Sequence, residues 1–253
     1  MLKRRIKMSS NAREQIILEY LKSQGEASVS ELCRATFVSE PTMRRDLAAL
    51  AHAGRIIRTH GGAAYKSALG ENIPQSYRER EHSEAKLAIA KKCLSLINDG
   101  DTIMVDGSST AQALLSLISE KKSLIIITNS AKAAMLPDRA NVRLFVTGGE
   151  LATNSYAFVG SYAEDFLRSF NADICFFSVR TLTCDGLLTD NAIAENAVRR
   201  VMLSRSRRSV LMLGSKKLGA PCINTLCSVD DISYVVSERD ISQGFPGQRE
   251  KFI

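Results

Sequence analysis

Apolar positions in the first quarter of the chain fall at helical spacing, broken by residues that start and stop helices. Between Arg13 and Leu21, the side chains of Ile16, Ile17, Tyr20 and Leu21 share one stripe, and Gly25 follows where a left-handed residue ends a helix. Ser28-Val29-Ser30-Glu31 has capping-box spacing, which predicts a second short helix through Leu32 and Cys33 to about Ala35. Thr36-Phe37-Val38 reads as a turn. A third helix is expected from Ser39, whose hydroxyl can accept from the first free backbone N–H groups, with Pro41 tolerated in the opening turn. Met43, Leu47 and Leu50 give this helix an apolar face, while Thr42, Arg44 and Arg45 lie near its N-terminal end on the polar face. Gly54 and Gly61-Gly62 bracket Arg55-Ile56-Ile57-Arg58-Thr59, which predicts a hairpin.

The pattern changes further along. Tyr65 to Arg80 holds Gly70, Pro74 and mixed charges without a sustained apolar stripe, and reads as a linker. From Ser83, short apolar runs alternate with amphipathic ones. Helices are expected at Ala85 to Ile97, Ala111 to Ile118 and Ala131 to Leu136; strands are expected at Thr102 to Val105, Leu124 to Thr128 and Arg143 to Val146. Such alternation predicts an α/β layer around a mainly parallel sheet. The expected organisation is a basic N-terminal tail over 1–12, a small helical domain over 13–64, a linker over 65–82, a larger α/β domain over 83–240 and a loose tail over 241–253.

Charge sharpens this division. Residues 1–66 carry twelve Lys or Arg and six Asp or Glu, a net of +6 out of +7 for the whole chain. A basic field concentrated in one small domain attracts phosphate backbone and makes affinity salt-sensitive. Helix, Gly stop, helix, short turn and Arg-bearing helix is the order of a helix-turn-helix, and the hairpin after it reads as a wing. Guanidinium forks match both guanine edges and phosphates, so the DNA-binding candidates are Ser39, Thr42, Arg44, Arg45, Arg55, Arg58, His60 and Gly61. The N-terminal Met1–Lys7 reads either as a groove-following arm or as a solvated tail.

In the larger domain the polar loops follow the strands. Asp106-Gly107-Ser108-Ser109-Thr110 sits where a strand hands over to a helix, so hydroxyls and helix N-terminal amides can hold an anion such as phosphate. Thr128-Asn129-Ser130 and Thr147-Gly148-Gly149-Glu150 follow the next two strands. Ligand crevices of open α/β sheets lie beyond the carboxyl ends of the strands, so the three loops are expected to converge on one site. No metal site or cofactor is expected: the only histidines are His52, His60 and His82. The six cysteines form no Cys-x-x-Cys pair, which predicts reduced, mostly buried residues. No run of about 18 apolar residues and no cleavable leader pattern is present, so a soluble, cytoplasmic protein without membrane contact is expected.

Thr42-Met43-Arg44-Arg45-Asp46-Leu47, with the closing His60-Gly61-Gly62-Ala63, closely resembles the winged helix of DeoR-type bacterial transcription regulators. Residues from 83 to about 236 resemble the sensor domain of that family, itself similar in fold to ribose-5-phosphate isomerase and related sugar-phosphate enzymes. The resemblance implies an effector pocket lined by Asp106, Gly107, Ser108, Ser109, Thr110, Thr128, Asn129, Ser130, Gly148 and Gly149. It further implies a later part of the pocket spanning Asp173 to Asp190, then Glu195 and Lys217. Two departures stand out. Gly214-Ser215-Lys216-Lys217 replaces the usual Asp-Ser-Ser-Lys, and Arg199 stands where Lys is usual. Arg180 adds a cation where the family has a nearby Gly; it reads either as a ligand contact favouring a more anionic effector or as a solvent-facing residue.

The resemblance implies a repressor of a carbohydrate-metabolism operon. Its partners would be double-stranded operator DNA, a phosphorylated sugar effector and further copies of itself in a dimer or tetramer, with no catalytic residues. The alternatives are a sugar-phosphate isomerase-like enzyme fused to a DNA-binding domain, using Asp185, Asp190 or Glu195 as base, and a sequence-independent nucleoid protein.

Overall fold

The computed structural model describes residues 10–59, 61–65, 75–135 and 142–253. The basic segment Met1–Lys7, His60, and Gly70 and Pro74 of the expected linker lie outside these residues. The chain divides between Tyr77 and Arg78 into two compact units.

The first unit contains α1 (Ser10–Gln24), β1 (Glu26–Ser28), α2 (Val29–Thr36), α3 (Glu40–His52), β2 (Ile56–Thr59) and β3 (Gly62–Tyr65). Gly25 ends α1 at φ 78°, donating its N–H to the Leu21 carbonyl at 2.8 Å. The capping box of α2 forms as the spacing predicts, with Ser28 accepting from the Glu31 N–H and Glu31 accepting from the Ser28 N–H. Ile17, Leu21, Leu32, Met43, Leu47 and Leu50 close the core, whereas Ile16 of the expected stripe is only half-buried. The Ser39 expectation is corrected: its hydroxyl lies 3.1 Å from that of Thr42 and caps no backbone N–H.

The wing is an antiparallel pair of β2 and β3, and the unforeseen β1 adds a third strand on the other side of β3. Too short to show a period, β1 is held by that pairing and by Ala27, which is buried in the core of the unit. Gly62 makes the pairing possible, because a Cβ there would stand 2.1 Å from the Ala27 carbonyl oxygen. Gly62→Ala is therefore expected to unseat β1 and destabilise the unit by about 1–3 kcal/mol, measured by thermal or denaturant unfolding.

A short helix α4 (Gln75–Arg80) occupies part of the stretch read as linker. Then come α5 (Ser83–Leu94), β4 (Thr102–Val105), α6 (Ser109–Leu117), β5 (Leu124–Thr128), β6 (Val142–Val146), β7 (Glu150–Ala152), β8 (Ala157–Val159) and α7 (Ser161–Arg168). The chain continues through β9 (Ala172–Phe177), β10 (Thr181–Leu182), β11 (Leu187–Asp190), α8 (Ile193–Ser204), β12 (Ser206–Met212), β13 (Asn224–Ser228) and β14 (Tyr234–Val236). Six strands form one wholly parallel sheet in the order β14-β12-β9-β4-β5-β6.

Side chains alternate across the sheet and both faces are covered. Ile103, Val105, Ile174, Phe176 and Val210 join Ile89 and Cys93 of α5 and Leu114 of α6 in one core. Met104, Cys175, Phe177 and Leu211 join Leu167 of α7 and Val198 and Met202 of α8 in the other. The antiparallel sheet β10-β11-β13 and the hairpin β7-β8 are separate from the main sheet.

Two expectations fail here. Residues 241–253 are not a loose tail: Phe245 is buried, stacks on Phe252 at 5.0 Å between ring centroids, and Lys251 donates to the carbonyls of Val229, Asp230 and Ile232. Apolar residues spaced too irregularly to show a period still anchor a segment when they meet a complementary surface. Of the six free cysteines, only Cys93 and Cys175 are buried, and Cys184 is exposed.

Candidate functional site

The polar face of α3 is set by its buried one. Met43, Asp46, Leu47 and Leu50 point inward, so the 3.6-residue period turns Arg44 and Arg45 outward. Asp46 anchors the helix: it receives a two-pronged contact from Arg13 of α1, Nε to Oδ2 at 2.8 Å and Nη2 to Oδ1 at 3.0 Å. This fork, unforeseen in the sequence because its partners are 33 residues apart, joins α1 to α3. Arg44 meets Glu40 at 3.2 Å with both side chains more than half exposed, a pairing that contributes little and yields readily to phosphate.

Arg58 of β2 donates to the Arg44 carbonyl at 3.3 Å, tying the wing to the recognition helix. Arg55 lies 3.9 Å from Glu14, and Gly61 makes the wing turn at φ 95°. Ser39, Thr42, Arg44, Arg45, Arg55, Arg58 and Gly61 thus belong to one small unit, and His60 is outside the described residues.

In the second unit, the loops after β4, β9 and β12 meet at the carboxyl end of the sheet. Asp106, 2 % exposed, accepts from the Ser108 N–H and from the Arg199 Nε at 2.9 Å. Arg199 of α8 also donates to Asp190 at 3.1 Å, Glu195 at 3.0 Å and the Asn196 side-chain oxygen at 2.9 Å. One buried guanidinium therefore faces three carboxylates, and their charges push its pKa further up despite burial. Along the sequence Arg199, Asp190 and Glu195 stand out separately; the i, i+4 spacing of Glu195 and Arg199 signals a helical pair but not its burial.

Lys217 approaches the same loops from the segment after β12. Its ammonium donates to the Ser178 hydroxyl at 2.9 Å and to the Val179 carbonyl at 2.8 Å, and has no ion pair among the described residues. Burial holds it down to about 8, with Asp190 and Asp106 opposing the shift and Lys86 and Arg199 adding to it. Beside Gly214, Glu238 accepts from the Ser215 N–H at 3.0 Å and from its hydroxyl.

The other candidates serve varied roles. Ser108 caps α6 through the Ala111 N–H, Ser109 is half-buried and Thr110 is buried. Gly107 passes so close to hairpin β7-β8 that a Cβ would stand 2.7 Å from that of Ala157. Thr128 accepts from the Ser130 N–H, and the Ser130 hydroxyl donates to Gln112 at 3.4 Å. The Asn129 side chain donates to the Phe158 carbonyl, while its buried Oδ1 has no hydrogen-bond partner among the described residues.

Gly148 and Gly149 line a groove of about 650 Å³ with Thr147, Val159, Tyr162 and Phe166, a lining that includes no residue of the other loops. Arg180 is half-buried. Asp173 lies at the opposite end of its strand from the site, accepting from the Thr102 N–H at 2.9 Å. Asp185 is exposed in a turn closed by Gly186 at φ 84°.

A small winged domain with an outward pair of arginines, followed by a parallel-sheet domain, is the arrangement of a transcription regulator with a sensor domain. Residues 13–68 match the DeoR-like helix-turn-helix domain and residues 81–239 the DeoR C terminal sensor domain, so the chain belongs to the DeoR family. It is 31% identical over 232 residues to the HTH-type transcriptional regulator GolR of Listeria innocua, covering 91% of each chain. It is 30% identical to the glycerol-3-phosphate regulon repressor of Escherichia coli, covering 91% of this chain and 92% of that one. Ribose 5-phosphate isomerase a of Methanocaldococcus jannaschii superposes on 54% of this chain and 55% of its own, with a TM-score of 0.41 and 18% identity.

Proposed function

We propose that this regulator represses a carbohydrate-metabolism operon in the bacterial cytoplasm and that a phosphorylated sugar, bound between Lys217 and the Asp106–Thr110 loop, weakens its hold on the operator. The observation that carries the reading is the half-buried Lys217 ammonium, which donates to a hydroxyl and a carbonyl and makes no direct ion pair among the described residues. A charge so placed favours an anion, and the N-terminal amides of α6 begin in the adjoining loop. The name of the Escherichia coli relative, a glycerol-3-phosphate regulon repressor, agrees with a phosphate ester as effector. Two half-sites on DNA require two recognition helices, so the active form is a homodimer or tetramer. Coupling requires that the effector favour one arrangement of the protein over the other.

The test is fluorescence-anisotropy titration onto DNA from upstream of the gene and onto scrambled DNA, with and without a panel of sugar phosphates. Selective binding weakened by one compound supports the proposal; binding without sequence preference at physiological salt overturns it. Effector affinity is also expected to fall as pH rises through about 8, because Lys217 and Lys86 both lose their protons there. The effect on folding has the opposite sign. A depressed lysine pKa means that the charged form is held at a cost below pH 8, relieved as pH rises from 8 towards 10.5. Calorimetric titration across pH 6.5–9 separates the two.

A further inference from the structure

We propose that Arg78, on the segment joining the two units, is a direct contact for the phosphate group of the effector. This rests on the effector reading above. The buried Arg78 Nε has no hydrogen-bond partner among the described residues. A guanidinium edge without an acceptor is unusual in a folded interior, because desolvating an N–H without replacing its partner is costly. The group lies within electrostatic range of Glu195, Asp190, Arg199 and Arg180, which places it beside the Arg199 cluster. Arg199, not Arg78, makes the direct contacts to those carboxylates. Arg78 makes no ion pair among the described residues, so its open Nε edge is available to an incoming oxyanion, and a guanidinium presents N–H groups in a fork that fits phosphate.

Its surroundings hold it in place. Nη2 donates to the Asn154 carbonyl at the tip of hairpin β7-β8, at 3.1 Å. The neighbouring Glu79 receives Lys132 at 2.7 and 2.9 Å, and the Lys132 ammonium lies 5.0 Å from the ring centroid of Tyr156 on the same hairpin tip. Lys86 of α5 donates to the backbone carbonyls of Arg78 and Glu81, the latter at 2.7 Å, and so holds the end of α4. The hairpin in turn covers the Asn129 loop, with the Phe158 N–H donating to the Asn129 carbonyl at 2.7 Å. A phosphate drawn onto Arg78 thus acts on both the covering hairpin and the end of α4.

Calorimetric titration of the full-length protein with inorganic phosphate, and in parallel with ribose 5-phosphate, tests the assignment in wild type, Arg78→Gln, Arg78→Lys and Lys217→Gln, with thermal unfolding of each. Arg78→Gln is expected to weaken phosphate at least tenfold without a matching loss of melting temperature, and Arg78→Lys to weaken it less. An equal loss for both ligands assigns the contact to the phosphate group; a loss confined to the sugar ester overturns that assignment. Wild-type affinity in Arg78→Gln beside a loss in Lys217→Gln overturns the role of Arg78 and leaves the effector reading standing. Failure of the wild type to take either ligand overturns both. Should Arg78→Gln not fold, Arg78→Lys decides: it keeps the charge but lacks the Nε edge, so unchanged affinity overturns the proposal.

Discussion

Arg199→Met is expected to destabilise the sensor unit by about 3–5 kcal/mol, because it removes the cation shared by three buried carboxylates. The side chain is 4 % exposed, and Asp106, Asp190 and Glu195 lie 2.9, 3.1 and 3.0 Å from it. Without it, three negative charges remain confined away from water. Their relief is protonation, which raises their folded-state pKa values above the unfolded ones.

The sign of the pH dependence follows. Such a carboxylate lowers stability at neutral pH and regains it as pH falls, so the deficit of Arg199→Met is expected to shrink between pH 7 and 5. At about 2–4 °C per kcal/mol for a unit of this size, the loss at pH 7 reads as a fall of about 10 °C in melting temperature. Thermal unfolding across that pH range checks both statements. A variant that melts like wild type at pH 7 shows that the cluster contributes nothing to the fold. Arg199→Lys is expected to lie between the two, since a single ammonium replaces a fork serving three partners.

The second large effect concerns DNA. Replacing both Arg44 and Arg45 by Ala is expected to weaken operator binding by about 2–6 kcal/mol, at about 1–3 kcal/mol for each arginine that reads a base edge. If either arginine touches only phosphate, the loss is smaller, equal on scrambled DNA, and accompanied by a drop of about one in the salt slope. Anisotropy titrations at several salt concentrations separate these cases. Both side chains point away from the core, so the unfolding midpoint is expected to stay within about 0.5 kcal/mol of wild type. Arg13→Ala is the contrasting variant: Arg13 touches Asp46 on the inner face of the same helix, and its loss is expected to lower stability and operator binding together.

Much of the architecture is legible from periodicity. Strands β4 and β5 fall on their expected bounds, Thr102 to Val105 and Leu124 to Thr128, because apolar runs buried on both faces are bounded by polar turns. The capping box at Ser28 and the stop at Gly25 are legible because each is satisfied within four residues. Strand β1 is not: its pattern is too short, and the strand it pairs with, β3, is more than thirty residues away. The docking of 241–253 is hidden for the same reason.

The site shows the same division. Asp106, Glu195 and Lys217 stand out along the chain, yet nothing in it says that Asp106 meets a guanidinium 93 residues away. Gly148 and Gly149 look equivalent to the Asp106 loop in sequence, but they line a groove of their own, since hairpin β7-β8 lies across the loops between. Arg78 falls in a stretch whose composition reads as linker, and carries no local signal of burial.

By itself, the sequence determined what short-range chemistry determines: caps, turns, strand bounds, the outward arginines of α3 and the concentration of positive charge in the first domain. Periodicity and hydrogen bonds within one turn are local properties, and the family is carried by such local motifs. Only the tertiary structure decided which charges meet. Arg199 serves three carboxylates, Lys217 donates to hydroxyl and carbonyl oxygens and makes no direct ion pair among the described residues, and the Arg78 Nε is left without an acceptor among them. Electrostatic pairing depends on distance and desolvation, and both exist only once strands far apart in the chain have been laid side by side.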